Sequence, residues 1–294
     1  MTESLQDLER RIESATELHS ITRTMRGLAA VNLSHHERAA GASSVYEGII
    51  AAGFQVALRD GGLERLPLGA PTVSMPTALL VFGSNQGLCG PINRYVVAHA
   101  SNEAEQLPSL VRIGAIGQRL ASELELAGLD VETTWDLPGT VEAITPRATQ
   151  VLVDLDRWRG EDDITRVILV FPGYVRGARS YEPTSWQLAP TDRRWLERLA
   201  ARPWRSRSLP TFTMQWDRLV AALIHEAMLV HLHRGFAQTM ASVAASRLAA
   251  MDSAQRDIEE RLSRLRAEHQ LVRQTEITEE LLDVVSGFEV LRSE

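Results

Sequence analysis

The chain has 294 residues, 44% hydrophobic and 23% charged, with a formal net charge of −7; that composition fits a folded protein of one or two domains with room for a sizeable core. All 31 basic residues are arginine and none forms a basic tail or arm, which speaks against a nucleic-acid backbone as the main partner. Cys89 is the only cysteine, excluding an intrachain disulfide and a thiolate metal cluster, and no apolar run reaches the ~18 residues of a membrane span.

The start, Met1-Thr2-Glu3-Ser4, is acidic and polar, unlike a signal peptide. From Ser4 to Leu58 there is no proline, and Leu5, Leu8, Ile12, Ala15, Leu18, Ile21, Met25 and Leu28 step by three or four, which predicts a long helix. Past Leu33 the stripe weakens into small residues such as Ala39, Ala40 and Ala42, which would let another helix approach closely. Arg59 to Pro76, rich in glycine and proline, is expected to be a connector.

The texture then changes. Thr77 to Phe82 suits a buried strand, and Pro91 can open a helix running to about Gln106. Leu110–Ile113, Val131–Thr134 and Ile164–Phe171 are further strands, Ser185–Leu188 another candidate, with helices over Gly117–Ala127 and Thr140–Trp158. This alternation predicts a compact α/β domain with a largely parallel sheet. Ala189 to Pro210 has the composition of a link. Thr213 to Leu291 has no proline, and Ile258, Leu262, Leu265, His269 and Val272, followed by Ile277, Leu281, Val284, Phe288 and Leu291, mark one very long helix. The expected fold is therefore two long terminal helices, residues 1–58 and 211–294, pairing as an antiparallel coiled coil, with an α/β domain over residues 59–210 between them. A bare amphipathic rod would hold apolar surface in water, so its unpaired length needs an outside partner.

Candidate chemistry is sparse. Gly83-Ser84-Asn85-Gln86-Gly87-Leu88-Cys89-Gly90 follows a strand and precedes a helix, but lacks both G-x-G-x-x-G spacing and a Gly-Lys-Ser/Thr ending. A tight turn needing permissive backbone angles accounts for its glycines, and a packed Cys89 is favoured over a nucleophilic one. His225-Glu226 begins like a zinc-protease helix, yet position 229 is leucine where a second histidine is required. His231 and His233 fall on different faces of a helix, His35-His36 have no ligands nearby beyond Glu37, and no spacing suggests a catalytic triad. Within the last helix, Arg273-Gln274-Thr275-Glu276-Ile277-Thr278 crowds polar groups where a coiled coil keeps its seam dry. It is either a solvated exterior or a surface on which Arg273, Gln274 and Thr278 meet a partner's acidic or carbonyl groups.

Four signatures, in order along the chain, resemble the gamma subunits (central rotor stalks) of F-type ATP synthases and ATPases. They are Ile12 with Ile21-Thr22-Arg23-Thr24-Met25; Gly87-Leu88-Cys89-Gly90 with Asn93; Ala241-Ser242, Ala245-Ser246-Arg247 and Ala250-Met251; and Arg273-Gln274, Ile277-Thr278, Glu280-Leu281 and Val285-Ser286-Gly287. The resemblance implies a coiled-coil shaft inside a hexamer of alpha and beta subunits, with the α/β domain joining the epsilon subunit and the c-subunit ring. It implies a peripheral protein on the cytoplasmic face of a bacterial inner membrane, with no cofactor and no catalytic site of its own. Arg273, Gln274 and Thr278 would engage a loop of the beta subunit, Arg23 would take the basic coupling position, and Met25 the methionine position. Departures include Arg23 for lysine, Ser84-Asn85-Gln86 without the usual Asp-Arg pair, Pro91 for glycine, Val243 for glutamate, and the ending after Gly287. They suggest a divergent branch, such as an alternate or sodium-translocating F-type ATPase. The alternative is a structural or regulatory coiled-coil protein that does not rotate.

Overall fold

The computed structural model describes residues 4–66, 75–175, 180–204, 207–208 and 210–292, with side chains described throughout except at Ser44 and residues 286–292. The expected stripe positions Phe288 and Leu291 and the signature residue Ser286 thus have side chains outside the described set, as do residues 67–74 of the expected connector. The chain divides into two compact units, residues 1–28 with 248–294, and residues 29–247. Helices α1 (Leu5–Gly61) and α6 (Trp216–Arg292) contribute to both.

In the first unit, α1 and α6 form an antiparallel pair. Leu8 and Ala15 pack with Leu262 and Leu265, flanked by Ile12, Ile258 and Val272. Polar pairs bracket this seam: Glu9 with His269 at 3.5 Å, His19 with Glu259 at 3.0 Å, and Arg26 with Asp252 at 3.4 Å. Each step forward along α1 is matched by an equal step back along α6, so the register holds without a slip. Continued to the start of α1, it sets Leu5 level with Arg273. Beyond that level α6 has no α1 residue to cover it, and Ile277, Leu281, Leu282, Val284 and Val285 are all exposed.

The second unit is built on a five-stranded sheet in the order β3-β2-β1-β4-β5, comprising β1 (Thr77–Phe82), β2 (Leu110–Ile116), β3 (Thr133–Trp135), β4 (Arg166–Val175) and β5 (Ser180–Ala189). The first four are parallel, and β5 pairs antiparallel to β4. Alternate residues of a strand face opposite sides. Leu79 and Val81 meet Val96 and Leu120 from α2 (Ile92–Glu105) and α3 (Gln118–Leu126). Ala78, Leu80 and Phe82 face the other way, onto α4 (Ile144–Asp162) and α6. A strand covered on both faces needs no polar alternation, which is why β1 is apolar without a break from Ala78 to Phe82.

The expected link Ala189–Pro210 instead contains α5 (Arg193–Ala201). Asp192 caps it by accepting the Arg194 N–H at 2.9 Å, and Leu196 and Leu199 are buried with Phe54, Ala57, Trp216 and Val220. Apolar residues at 195, 196, 199 and 200 give it one inward face; flanking prolines and dense arginines obscure that pattern.

Small residues let α6 lie close against the sheet. A Cβ at Gly235 would come within 3.3 Å of the Phe82 ring, and Phe236 meets that ring edge-on at 5.1 Å. Ala237, Ala241, Ala244 and Ala245 are buried along the same stretch. Two buried hydroxyls bond the helix to β4 and to the turn that follows β1: Ser242 Oγ donates to the Pro172 carbonyl at 2.7 Å and Ser246 Oγ to the Cys89 carbonyl at 2.6 Å. Val243, at the position where the resemblance expects glutamate, is buried in the core.

Within this unit α1 and α6 are again antiparallel, but their seam carries histidines. His36 is 8% exposed and its Nδ1 has no hydrogen-bond partner. His233 Nδ1 lies 3.1 Å from Ser43 Oγ, and His231 packs on the Trp186 ring at 5.1 Å beside the Glu47–Arg234 pair. Burial pushes all three imidazoles below their ordinary value; the Met240 backbone partly offsets this for His36, as the Glu47 carboxylate does for His231.

Depressed histidines remain neutral in the fold, so their stabilising packing is fully present above the unfolded-state value of about 6.5 and is lost as pH falls through the lower folded-state values. Hydrogen exchange over residues 33–47 should therefore accelerate, after correction for intrinsic rates, between pH 7.5 and 5.5, and His36→Phe should reduce that acceleration. An unchanged profile in the wild type, or the same slope in the variant, contradicts the assignment. Separately, Ser246→Ala leaves a buried carbonyl short of a donor and should cost about 1–3 kcal/mol, read as a lowered midpoint of thermal unfolding. A change smaller than that of a substitution at exposed Ser263 would contradict it.

Candidate functional site

The polar groups of the glycine-rich turn after β1 are taken up by hydrogen bonds within the turn and to neighbouring segments. The Ser84 N–H donates to Asn93 Oδ1 at 3.0 Å, and Asn93 Nδ2 donates to Ser84 Oγ at 2.9 Å. Asn85 exchanges two bonds of 2.8 Å with the backbone of Leu137, and the Ser84 carbonyl accepts from the Arg119 and Leu120 N–H groups. Leu88 and Gly90 adopt φ of 59° and 62°, which explains one of the glycines and makes Leu88 a strained, exposed exception. Cys89 is 3% exposed, its thiol 3.3 Å from Ser84 Oγ.

In an open α/β sheet, ligands settle beyond the carboxyl ends of the strands where the strand order reverses. Here that point lies between β1 and β4, and α6 occupies it through Ser246 and Ser242, which bond residues just beyond or within those strands. Two of the motifs singled out in the sequence thus bond to each other: the turn accepts a hydrogen bond from the serine of the Ala245-Ser246-Arg247 stretch. Hydrogen bonding between positions so far apart leaves no trace in local spacing, so the roles of Asn93 and Ser246 emerge only from the fold.

The histidines stay apart as ligands. His225 is exposed, while His231 and His233 turn to different neighbours, Trp186 and Ser43. Among the described residues no group of three or more histidine, cysteine, aspartate or glutamate side chains could hold a metal ion.

The polar residues of α6 form a different kind of surface. Arg273, Gln274 and Thr278 are all exposed. The Thr278 hydroxyl donates to the Gln274 carbonyl at 2.7 Å, leaving its oxygen lone pairs outward. Gln274 and Thr278 lie one turn apart on a strip that continues into Leu281 and Val285, whereas Arg273 occupies the adjacent strip. Arg23 is exposed and Met25 half-buried on α1. In the observed register Arg23 is some eighteen residues from the Arg273 level, roughly 27 Å along the pair. The two sets therefore form two separate levels on the coiled coil, not one cluster.

A protein-family model described as ATP synthase matches residues 4–291. The ATP synthase gamma chain of Methylorubrum extorquens strain PA1 is 28% identical over 300 residues, covering 98% of this chain and 99% of that one. That of Cereibacter sphaeroides strain ATCC 17029 is 29% identical over 297 residues, with the same coverage. Among solved structures, a chain of the Euglena gracilis mitochondrial ATP synthase in an OSCP/F1/c-ring assembly superposes with a TM-score of 0.64 at 15% identity, covering 98% of this chain and 95% of that one. The order of elements, the helix pair flanking the sheet and the match along nearly the whole length agree: the chain belongs to the ATP synthase gamma-chain family.

Proposed function

We propose that this chain is the central rotor of an F-type ATP synthase, coupling rotation of a membrane ring to successive conformations of catalytic sites in surrounding subunits. The observation that carries the reading is the uncovered stretch of α6. From the level of Arg273 onward α1 does not cover it, and it presents exposed polar side chains at Arg273, Gln274 and Thr278 and exposed apolar ones at Ile277, Leu281, Leu282, Val284 and Val285. Exposed apolar side chains gathered on one stretch mark a surface that a partner covers, and a hexamer of alpha and beta subunits supplies such a sleeve.

In this reading residues 1–58 and 211–294 act as the shaft, and residues 59–210 as the foot that meets the epsilon subunit and the c-subunit ring. The protein is peripheral, working at the cytoplasmic face of a bacterial inner membrane; among the described residues no helix is long and apolar enough to cross a membrane. ATP chemistry belongs to the surrounding subunits, and this chain contributes shape and contacts.

The shaft transmits torque because its two helices are unequal and its surface is asymmetric. Apolar side chains give a low-friction bearing, since non-directional contacts can be exchanged at any angle. Charge-assisted hydrogen bonds from Arg273, joined by Gln274 and Thr278, add angular preference by favouring orientations in which a partner's carboxylate or carbonyl lies within reach. Arg23 and Met25 supply a second level of contact lower on the pair. A bearing with too many such bonds would hold one angle, and three polar residues beside an apolar strip keep the two demands in balance.

Replacing Arg273 and Gln274 together by alanine should lower coupled ATP synthesis of the assembled complex about tenfold, the scale of one lost charge-assisted hydrogen bond. Thermal unfolding of the isolated chain should not change, because both side chains are exposed. Normal assembly, synthesis and load-dependent rotation in the double variant would remove these residues from the coupling role.

A further inference from the structure

The overall charge of −7 conceals a strongly basic stretch: residues 193–207 hold six arginines and a single carboxylate, Glu197. In an isolated amphipathic helix the apolar face would be free to enter a membrane. Here Leu196 and Leu199 are already buried with Phe54, Ala57 and Trp216, and Trp195 meets Phe54 edge-on at 5.5 Å. The arginines are consequently turned outward, and Arg193, Arg194, Arg198, Arg202 and Arg207 are exposed.

The same apolar cluster gathers the end of α1, the short 3₁₀ turn Leu63–Arg65 and the start of α6. These bring Arg59, Arg65 and Arg218, also exposed, to the border of that cluster. Carboxylates neutralise part of the surface: Glu197 pairs with Arg193 at 3.2 Å, Asp192 with Arg198 at 3.8 Å, and Asp217 with Arg65 at 3.9 Å. Asp60 and Glu64 are exposed on the same stretches without an ion pair to these arginines among the described residues. Arg59, Arg194, Arg202, Arg207 and Arg218 likewise have none. Half-buried Trp204, whose Nε1–H donates to the Ser208 carbonyl at 2.8 Å, and Met214, 51% exposed, lie on the same connecting stretch.

Guanidinium groups match phosphate oxygens with paired donors, and tryptophan favours the level of lipid headgroups. We propose that this arginine face binds the anionic headgroup surface of a phospholipid membrane. With its apolar side committed to the core, the segment adsorbs by charge and does not insert, and headgroups can exchange beneath it. The proposal stands independently of the rotor reading, since it concerns an affinity of the isolated chain.

Each basic residue near an anionic surface contributes about fivefold to partitioning at low salt. The full-length chain should co-sediment with vesicles of phosphatidylcholine containing phosphatidylglycerol, weakly or not at all with phosphatidylcholine alone, and less as salt is raised. The variant Arg59→Gln, Arg194→Gln, Arg202→Gln, Arg207→Gln should lose at least about 100-fold in partitioning. A control with Arg10, Arg157, Arg159 and Arg264 changed to glutamine should lose only a few-fold. If the fourfold variant fails to fold, as judged by thermal unfolding, Arg202→Gln with Arg207→Gln should still lose about 25-fold. Equal binding to neutral vesicles, equal loss in the control, or no binding to anionic vesicles would overturn the proposal. Retention on immobilised polyglutamate without vesicle binding would overturn it too, assigning the face to an acidic protein surface.

Discussion

One uninterrupted helix must satisfy three surroundings in succession, and the side-chain size along α6 follows that demand. Between residues 235 and 246 it presents glycine, alanine and serine, which allow close approach to β1 and β4. Between residues 258 and 272 it presents isoleucine, leucine and valine to a single opposing helix. Past Arg273 it faces no part of the first helix, and its apolar side chains from Ile277 to Val285 are exposed. No proline interrupts these changes, so the helix can carry a rotation or a strain along its backbone while its contacts differ from one stretch to the next.

The docking on the sheet is the step on which the larger unit depends. Buried hydroxyls of Ser242 and Ser246 satisfy the carbonyls of Pro172 within β4 and of Cys89 in the glycine-rich turn, where an unpaired group would cost more than the bond contributes. The same contacts occupy the groove in which many related sheets hold a nucleotide. The glycine turn, with Ser84 and Asn93 bonded to each other and Asn85 to the Leu137 backbone, has become a seat for a helix. Shape and contact, not chemistry at a pocket, are what this arrangement offers.

Much of this was legible in the residues. The apolar Ala78–Phe82 run and the four-three rhythm from Ile258 to Val272 correspond to covered elements. The Leu5–Leu28 spacing corresponds to a helix, but Leu18, Ile21 and Leu28 are exposed and only Leu8 and Ala15 of that stripe are buried. Other features required the fold. The strand Ser180–Ala189 extends well beyond its legible core because its outer half is polar and pairs only on one side. Helix α5 was hidden among arginines and prolines, although Asp192 and the spacing of Leu196 and Leu199 carried its signal. The arginine surface was averaged away in the net charge, and the Ser246–Cys89 bond joins residues whose separation in sequence conveys nothing. The polar level at Arg273, Gln274 and Thr278 was visible as a break in the seam; the register explains it, since α1 begins at that level.

The central claim is that α6, past the start of α1, bears on the catalytic subunits during rotation. In the native complex, with Cys89→Ser removing the only intrinsic thiol and Thr278→Cys adding one, a thiol-reactive crosslinker should join this chain to a catalytic subunit and arrest ATP hydrolysis. A cleavable linker should restore activity on reduction. Crosslinking without arrest, or failure to reach any catalytic subunit from residue 278, would contradict the account.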